Sequence, residues 1–224
     1  MDRRAWLAGQ RARIEEHYDT QSSSYDDDDV PITPVHRRFI EAVIDSCPLG
    51  GTILDAPCGT GRCFELVLGA GRNVVGIDQS TGMLARARDK YSKVVLRRLG
   101  LEELDFDHEF HAAMCVDAME YVPPEAWPVV LGNLRRAIHP GGLVYLTVEQ
   151  IDQEEVADVF AEARAAGAPV EYGENLRRGG GYHFYPAAER VLGWIETEGL
   201  EVVRRDVGRA RTYGYLHLLL RERM

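Results

Sequence analysis

The stretch TILDAPCGTGR (52–62) joins an apolar run, a carboxylate and a glycine-rich turn within eleven residues. The apolar letters before Asp55 predict a buried strand that ends at this carboxylate. Gly59 and Gly61 would let the backbone approach a ligand without interference from a Cβ atom, and the free amides of a following helix would face the same place. The stretch therefore predicts a strand–turn–helix unit that binds a nucleotide, and it leaves the kind of nucleotide open.

Short apolar runs alternate with amphipathic segments along most of the chain. The helix candidates lie at about 61–70, 81–91 and 124–138, and the strand candidates are 52–56, 73–77, 94–99, 112–116, 143–149, 200–207 and 214–220. This alternation favours a parallel sheet with helices on both faces. The last two strands are separated by about six residues, which is too short for a parallel crossover, so they should pair antiparallel.

The chain before the first strand predicts two helices and a loop. The helices are expected from Arg3 to about His17 and from Pro34 to Cys47, and the Ser-, Asp- and Pro-rich segment between them predicts a loop. The four aspartates at 26–29 lack the alternating spacing and the central glycine of a calcium loop. We expect them to be a solvated run of charge.

The segment 150–185 interrupts the alternation. It predicts a helix from about Asp152 to Ala166, followed by a mobile loop that contains two arginines and three consecutive glycines. Because the segment follows the fifth strand, it should lie near the carboxyl ends of the sheet, where open α/β folds bind ligands. We interpret it as a lid or a substrate wall.

Composition and charge restrict the class of partner. The net charge of −10 and the pI near 5.2 disfavour a phosphate backbone, so no nucleic-acid partner is expected. The four cysteines form no C-x-x-C pair and have no histidine cluster at zinc spacing, so we expect reduced thiols and no metal. No window has the apolar length of a membrane helix, which predicts a soluble, cytoplasmic protein without a membrane partner.

A second carboxylate helps to choose between nucleotides. Asp78 ends the second strand, where an acidic side chain can accept hydrogen bonds from both hydroxyls of a ribose. A pyrophosphate would be repelled by Asp55, and the turn carries only Gly59-Thr60-Gly61 rather than the full G-x-G-x-x-G pattern. These features disfavour a dinucleotide and favour a ligand with a cationic group beside the turn.

Several motifs together resemble those of the class I S-adenosylmethionine-dependent methyltransferases. The matching stretches, over about 35–220, are DAPCGTG (55–61), the acid at Asp78, GLEELDF (100–106), FHAAMCVDAMEYV (110–122) and LRRAIHPGGLVYLTVE (134–149). The resemblance implies a Rossmann-like, doubly wound α/β fold with seven strands in the order 3-2-1-4-5-7-6, strand 7 antiparallel. It also implies a cofactor-covering leader at 1–34, a catalytic domain at 35–224 with the lid insertion, and S-adenosylmethionine as cofactor with S-adenosylhomocysteine as product.

The resemblance also implies a set of cofactor-binding residues. The leader HYDTQSSSYD resembles that of small-molecule members, in which two tyrosines fold over the cofactor; an ordinary loop with two surface tyrosines is the alternative. Pro57 replaces the first glycine of the family's turn, and Gly100 stands where many members carry an adenine-binding acid. The expected contacts are Tyr18, Tyr25, Asp55, Ala56, Pro57, Gly59, Thr60, Gly61, Asp78, Gln79, Met83, Leu101, Glu102, Asp117, Ala118 and Met119.

The expected reaction is methyl transfer to O or N of a small-molecule acceptor, mainly by positioning of the reactants. The fourth motif lacks the N/D-P-P-Y of many amino-group methylases that act on DNA or protein. The candidate catalytic residues are His183, Glu149 and Tyr121, although His183 is also compatible with a structural role in a turn. Two alternatives stay open, namely a non-catalytic module that binds the cofactor or its product, and a nicotinamide-dependent oxidoreductase. The oligomeric state is not predicted.

Overall fold

The computed structural model describes residues 2–27, 32–178, 181–210 and 213–223. The helices are α1 (Arg3–Gln21), α2 (Pro34–Ser46), α3 (Phe64–Gly69), α4 (Thr81–Lys90), α5 (Trp127–Ala137), α6 (Gln153–Ala165) and α7 (Ala188–Thr197). The strands are β1 (Thr52–Asp55), β2 (Asn73–Asp78), β3 (Val95–Arg98), β4 (Phe110–Cys115), β5 (Ile138–Gln150), β6 (Glu174–Arg178), β7 (Gly181–Phe184), β8 (Leu200–Ala210) and β9 (Tyr213–Glu222). Within these residues no helix has the length and apolar character needed to cross a membrane.

Seven strands form one sheet in the order β3-β2-β1-β4-β5-β9-β8. The strands from β3 to β5 pair in parallel, whereas β9 is antiparallel to both of its neighbours. The Rossmann-like fold class and the strand order are thus confirmed, with β8 and β9 as the predicted strands 6 and 7. The short connection between these two strands is the feature that forced the antiparallel pairing.

The core has two layers because the sheet is covered on both faces. Ile53 and Leu54 are adjacent in β1 and both fully buried, and they belong to the two different core clusters on opposite faces of the sheet. Side chains alternate along a strand, so such a strand must be apolar at consecutive positions. Full burial of one of these side chains contributes about 1.5–3 kcal/mol.

The helix α1 extends one turn beyond the predicted end, to Gln21. It begins with Asp2 as N-cap, whose carboxylate accepts a hydrogen bond from the Ala5 amide at 3.1 Å. Its buried positions are Trp6, Gln10 and Ile14, which lie four residues apart and so share one face. The predicted end at about His17 is too early, because most of the residues that follow it are polar and give no sign that the helix continues.

Two predictions for the chain that follows α5 need correction, and the first concerns the start of β5. The strand predicted at 143–149 begins earlier, because HPGG (139–142) lies within β5 as a bulge: Phe110 pairs with Ile138, whereas Ala112 pairs with Leu143. A Cβ on Gly142 would lie 2.5 Å from the His111 carbonyl, which explains the glycine.

The expected loop after α6 is instead an antiparallel hairpin of β6 and β7, in which Asn175 pairs with His183. Buried side chains at Tyr182 and Phe184 hold the hairpin on the core, and aromatic residues at alternate positions are typical of a strand. Gly179 and Gly180 of the glycine run lie outside the described residues, and the predicted mobility stays a prediction. The segment follows β5 along the chain, and its role as a lid or a substrate wall stays a prediction.

Candidate functional site

A cavity of about 680 Å³ lies at the carboxyl ends of the central strands, with α1 along one side. Its size falls within the range of small-molecule sites. Of the predicted cofactor residues, those that line it are Tyr18, Tyr25, Asp55, Pro57, Gly59, Thr60, Asp78, Gln79, Met83, Leu101, Glu102, Asp117 and Ala118. The lining does not include Ala56, Gly61 or Met119. Ala56 extends the β1–β4 pairing through its amide, which donates to the Met114 carbonyl at 2.9 Å.

The glycine turn is fixed by backbone hydrogen bonds. The Cys58 amide donates to the Ile77 carbonyl at 2.7 Å, and the Gly61 amide donates to the Cys58 carbonyl at 2.9 Å. Gly59 and Gly61 have φ values of +52° and +84°, a conformation that favours glycine. A Cβ on Gly61 would also lie 2.7 Å from the ring of Phe64. The turn is therefore built for a close approach of the backbone.

Asp78 connects the glycine turn to the start of α4. One carboxylate oxygen accepts from the Ser80 amide at 2.8 Å, and the other accepts from the Gly59 amide at 2.9 Å. Burial raises the pKa of Asp78 to about 6, although these two amides oppose the shift. Each carboxylate oxygen has a second lone pair, so the side chain can still accept hydrogen bonds from a ligand.

Asp55 is the most deeply buried carboxylate that borders the cavity, with 2% of its surface exposed. Burial raises its pKa to about 7, and the charge of Asp78 adds to the shift, whereas Arg62 opposes it. A cationic ligand group beside Asp55 would stabilise the charged form.

Two residues outside the predicted set hold Asp117 in the wall of the cavity, and of these Arg62 lines the cavity itself. Arg62 donates to Asp117 at 2.7 Å, and the Nε2 atom of His36 lies 3.1 Å from the other oxygen of the same carboxylate. Burial alone would raise the pKa of Asp117, but the contacts with His36 and Arg62 lower it to about 2. Arg62 could have been suspected because it directly follows the glycine turn; the sequence held no comparable signal for His36.

The leader contacts the cavity from the other side. The Tyr18 hydroxyl donates to the Tyr121 hydroxyl at 2.6 Å, and the Tyr18 ring packs edge-on against Tyr25 with centroids 6.1 Å apart. Asp19 accepts from the Ser80 hydroxyl at 2.6 Å and from the Gly82 amide at 2.8 Å. The leader therefore places its tyrosines at the cavity and anchors itself to the start of α4.

The acidic run of the leader is not simply solvated. Asp26 accepts from the Thr60 hydroxyl at 2.6 Å and forms an ion pair with Lys90 at 2.9 Å. This corrects the prediction for Asp26, and it ties the leader to the glycine turn itself. Asp28 and Asp29 lie outside the described residues.

Comparisons with known proteins agree with the fold and with the family resemblance of the sequence. A family described as a methyltransferase domain matches residues 53–142. A ubiquinone biosynthesis O-methyltransferase of Pseudomonas aeruginosa is 30% identical over 161 residues, which cover 68% of this chain and 66% of that protein. The enzyme of the same name from Dechloromonas aromatica is 33% identical over 122 residues, which cover 52% and 51%. The chain belongs to the class I S-adenosylmethionine-dependent methyltransferases.

The match to these relatives is partial, because the chain spans about half to two thirds of their length. Solved structures support the same fold for this class I methyltransferase. An S-adenosylmethionine-dependent methyltransferase of Methanosarcina mazei has a TM-score of 0.69 at 17% identity, covering 87% of this chain and all of that one. A Burkholderia thailandensis 1,6-didemethyltoxoflavin-N1-methyltransferase has a TM-score of 0.66 at 16% identity, covering 100% and 92%.

Only one of the three residues predicted to be catalytic lines the cavity. Tyr121 does so, and His183 packs behind it with ring centroids 4.8 Å apart and only 5% of its surface exposed. Glu149 is buried and raises the pKa of the neighbouring buried Glu120, for which burial is the larger cause. The structure therefore separates a cavity-lining tyrosine from a buried layer behind it.

The cysteines near the site are reduced and buried. Cys58 and Cys63 line the cavity, and burial raises the pKa of both thiols above the ordinary range. Because the thiolate is the reactive form, these side chains are inert at neutral pH. Their contribution is to fill space beside the glycine turn.

Proposed function

We propose that the protein binds S-adenosylmethionine in this cavity and transfers its methyl group to O or N of a small-molecule acceptor, leaving S-adenosylhomocysteine. One observation carries the proposal: Asp55 and Asp78 stand at neighbouring strand ends, on either side of the Gly59 turn, within one cavity. This arrangement suits an adenosyl ligand whose other end is cationic. It does not suit a pyrophosphate, which two carboxylates would repel.

Each part of the cofactor has a counterpart among the residues at the cavity. Asp78 would accept hydrogen bonds from the ribose hydroxyls, and Asp55 would receive the amino group, directly or through a water molecule. The base would lie between Gln79 and Met83 on one side and Leu101 and Glu102 on the other. The residues fit the cofactor because all of these side chains border the same cavity.

Positioning would account for most of the rate. The acceptor's lone pair must lie behind the methyl group, in line with the bond that breaks, in a pocket that excludes water. Tyr18, Tyr25 and Tyr121 form an aromatic wall that can exclude water there. Burial raises the pKa of Tyr121 well above its usual value, so its hydroxyl stays protonated and orients rather than removes a proton.

The chemistry of the acceptor is restricted only in part. The curated relatives are named as O-methyltransferases, and one solved neighbour is named as an N1-methyltransferase. Those names support transfer to O or N in this protein. The net charge of −10 supports a small molecule over a nucleic acid. A base would be needed only for an acceptor that must lose a proton early, such as a phenol or an alcohol.

Calorimetry followed by mass spectrometry tests the proposal. We expect S-adenosylmethionine and S-adenosylhomocysteine to bind with one-to-one stoichiometry, and NADH to show no fluorescence change. Incubation with a panel of metabolites and S-adenosylmethionine should yield a product heavier by one methylene unit. Binding without any methylated product would favour a non-catalytic module, and binding of NADH instead would favour an oxidoreductase.

A further inference from the structure

Arg11 of α1 reaches into the space that a side chain at position 100 would occupy. A Cβ built on Gly100 would lie 2.1 Å from the terminal Nη2 atom of Arg11, closer than any real contact allows. The backbone of Gly100 itself is extended, with φ of −86°, so its conformation does not require glycine. The absence of a side chain at this position therefore serves to admit the guanidinium.

Neighbouring residues hold the guanidinium in that place. Glu103 accepts from Arg11 Nη2 at 2.9 Å with one oxygen, and from the Gly100 amide at 3.0 Å with the other. Arg11 Nε also donates to the side chain of Gln79 at 3.4 Å, and Nη1 lies 3.6 Å from Glu102. Two separate contacts of the arginine thus involve residues that line the base end of the cavity, which Arg11 itself also lines.

We propose that Arg11 positions the adenosyl base of the cofactor, taking the place that a side chain on residue 100 would otherwise fill. This inference rests on the proposed function. The adenine of a cofactor held between Gln79 and Glu102 would lie beside the guanidinium of Arg11, which contacts both of these residues. A guanidinium has only donors, so it binds ring nitrogens as acceptors or lies flat against the π face of the base.

Because Arg11 lies in the leader, its contact with the adenine would also affect how the leader docks on the domain. The contact joins α1 to the base, so a bound cofactor stabilises the docked position of α1. The leader and the cofactor then bind cooperatively, each favouring the other by the same free energy.

Four single variants and the Arg11→Ala/Gly100→Ala double variant test the role of Arg11, with S-adenosylhomocysteine and 5′-methylthioadenosine as the two probes in calorimetry. Arg11→Ala removes the guanidinium. Gly100→Ala keeps Arg11 but displaces the end of its flexible side chain without backbone strain. The control for Arg11→Ala is Arg13→Ala, since Arg13 is an exposed arginine on the same helix and does not line the cavity. The control for Gly100→Ala is Gly193→Ala, since a Cβ on Gly193 would meet open space.

We expect Arg11→Ala to weaken both probes by the same factor, roughly 3- to 30-fold, because the methylthioadenosine retains the base and lacks only the amino-acid end. Gly100→Ala should weaken both in the same way, and the double variant should be no weaker than the worse single variant. The two controls should bind like the wild type. The melting temperature of the empty protein should not change in Arg11→Ala, because both of its acidic partners are partly exposed.

Two results would overturn the role of Arg11 while leaving the proposed function intact: unchanged affinity of Arg11→Ala for both probes, or additive losses in the double variant. A loss for S-adenosylhomocysteine alone would also overturn it, since the contact would then lie at the amino-acid end. A wild-type protein that binds neither probe would overturn the proposed function together with this inference.

Discussion

The hydroxyl of Tyr18 in the leader donates a hydrogen bond to the hydroxyl of Tyr121 at 2.6 Å, across 103 residues of sequence. The ring of Tyr121 in turn packs against His183 of the hairpin, with centroids 4.8 Å apart. A continuous aromatic row therefore connects the leader, the turn after β4 and the insertion after β5. The sequence predicts the leader and the insertion as the cover of the site, and the side chain of Tyr121 joins the two in the structure.

Tyr18→Phe should loosen the leader without unfolding the domain. The substitution removes one hydrogen bond, whose net contribution of about 0.5–1.5 kcal/mol corresponds to a roughly 2- to 10-fold change in an opening equilibrium. We expect amide hydrogen exchange in the second half of α1 to accelerate by this factor, while exchange in β1 and β4 is unchanged. Tyr172→Phe serves as control, because this tyrosine is 51% exposed. Equal exchange in Tyr18→Phe and wild type would show that the bond does not hold the leader.

Asp78→Ala should weaken S-adenosylhomocysteine binding by several fold or more. It removes charge-assisted hydrogen bonds to the ribose, and it also frees the Gly59 and Ser80 amides that the carboxylate holds. Asp78→Asn should bind weakly as well, since its NH₂ group would face one of these two donors. Titration calorimetry measures both variants against Asp45→Asn, an exposed position on α2. Wild-type affinity in both Asp78 variants would count against the ribose assignment.

Cofactor binding should depend on pH through Asp55. Its pKa in the empty protein is about 7 and that of Asp78 about 6, and a cationic ligand group would lower the pKa of Asp55. Binding therefore releases protons, and the affinity for S-adenosylhomocysteine should rise between about pH 5 and 8. Calorimetry at pH 6.5 in phosphate and in Bis-Tris, which differ in ionisation enthalpy, measures the proton release. Asp55→Asn should abolish most of it; equal binding enthalpies in both buffers for the wild type would contradict this account.

The same two carboxylates should lower the stability of the empty protein at neutral pH. An unfolded aspartate has a pKa of about 3.9, so between pH 4 and 7 the folded state binds more protons than the unfolded state. By linkage, their contribution makes the free energy of unfolding fall as the pH rises through this range. Thermal melts of the wild type and of Asp55→Asn should therefore differ least near pH 4 and most at pH 7 and above. Parallel curves for the two proteins would contradict the raised pKa of Asp55.

The parts of the site that the sequence predicted share one property: their position follows from local order along the chain. Asp55 and Asp78 each end an apolar run, and parallel neighbouring strands bring their carboxyl ends to one edge of the sheet. The antiparallel pairing of β8 and β9 followed from the short connection between them, whereas the order of all seven strands came from the family resemblance. The sequence did not predict the hairpin of β6 and β7, because glycines and arginines at its turn hid two short strands whose buried residues are aromatic.

The cluster around Asp117 shows the opposite case. His36, Arg62 and Asp117 come from α2, from the end of the glycine turn and from the residue just beyond β4, so no local spacing relates them. Of the three, the sequence predicted only Asp117 as part of the site, and it gave no sign of the contacts of Asp117 with His36 and Arg62. Only packing shows that Asp117 and His36 are largely buried and that Asp117 needs both partners. The position of Arg11 beside Gly100 was hidden for the same reason.

Arg62→Ala should destabilise the protein more than Asp117→Asn does. Removal of the cation leaves a mostly buried carboxylate with only His36 and the Thr147 hydroxyl as partners, whereas the amide removes the charge that needed a partner. Because the side chains of Arg62 and Asp117 retain 24% and 17% exposure, we expect a loss of about 1–3 kcal/mol for Arg62→Ala, less than for a fully buried pair.

The contacts lower the folded pKa of Asp117 to about 2, below the unfolded value of about 3.9, so this stabilisation is present above pH 4 and is lost as the pH falls towards 2. Urea unfolding at pH 7 of both variants and the double variant gives the coupling free energy between the two residues. Additive losses would show that the ion pair between Arg62 and Asp117 contributes nothing to stability.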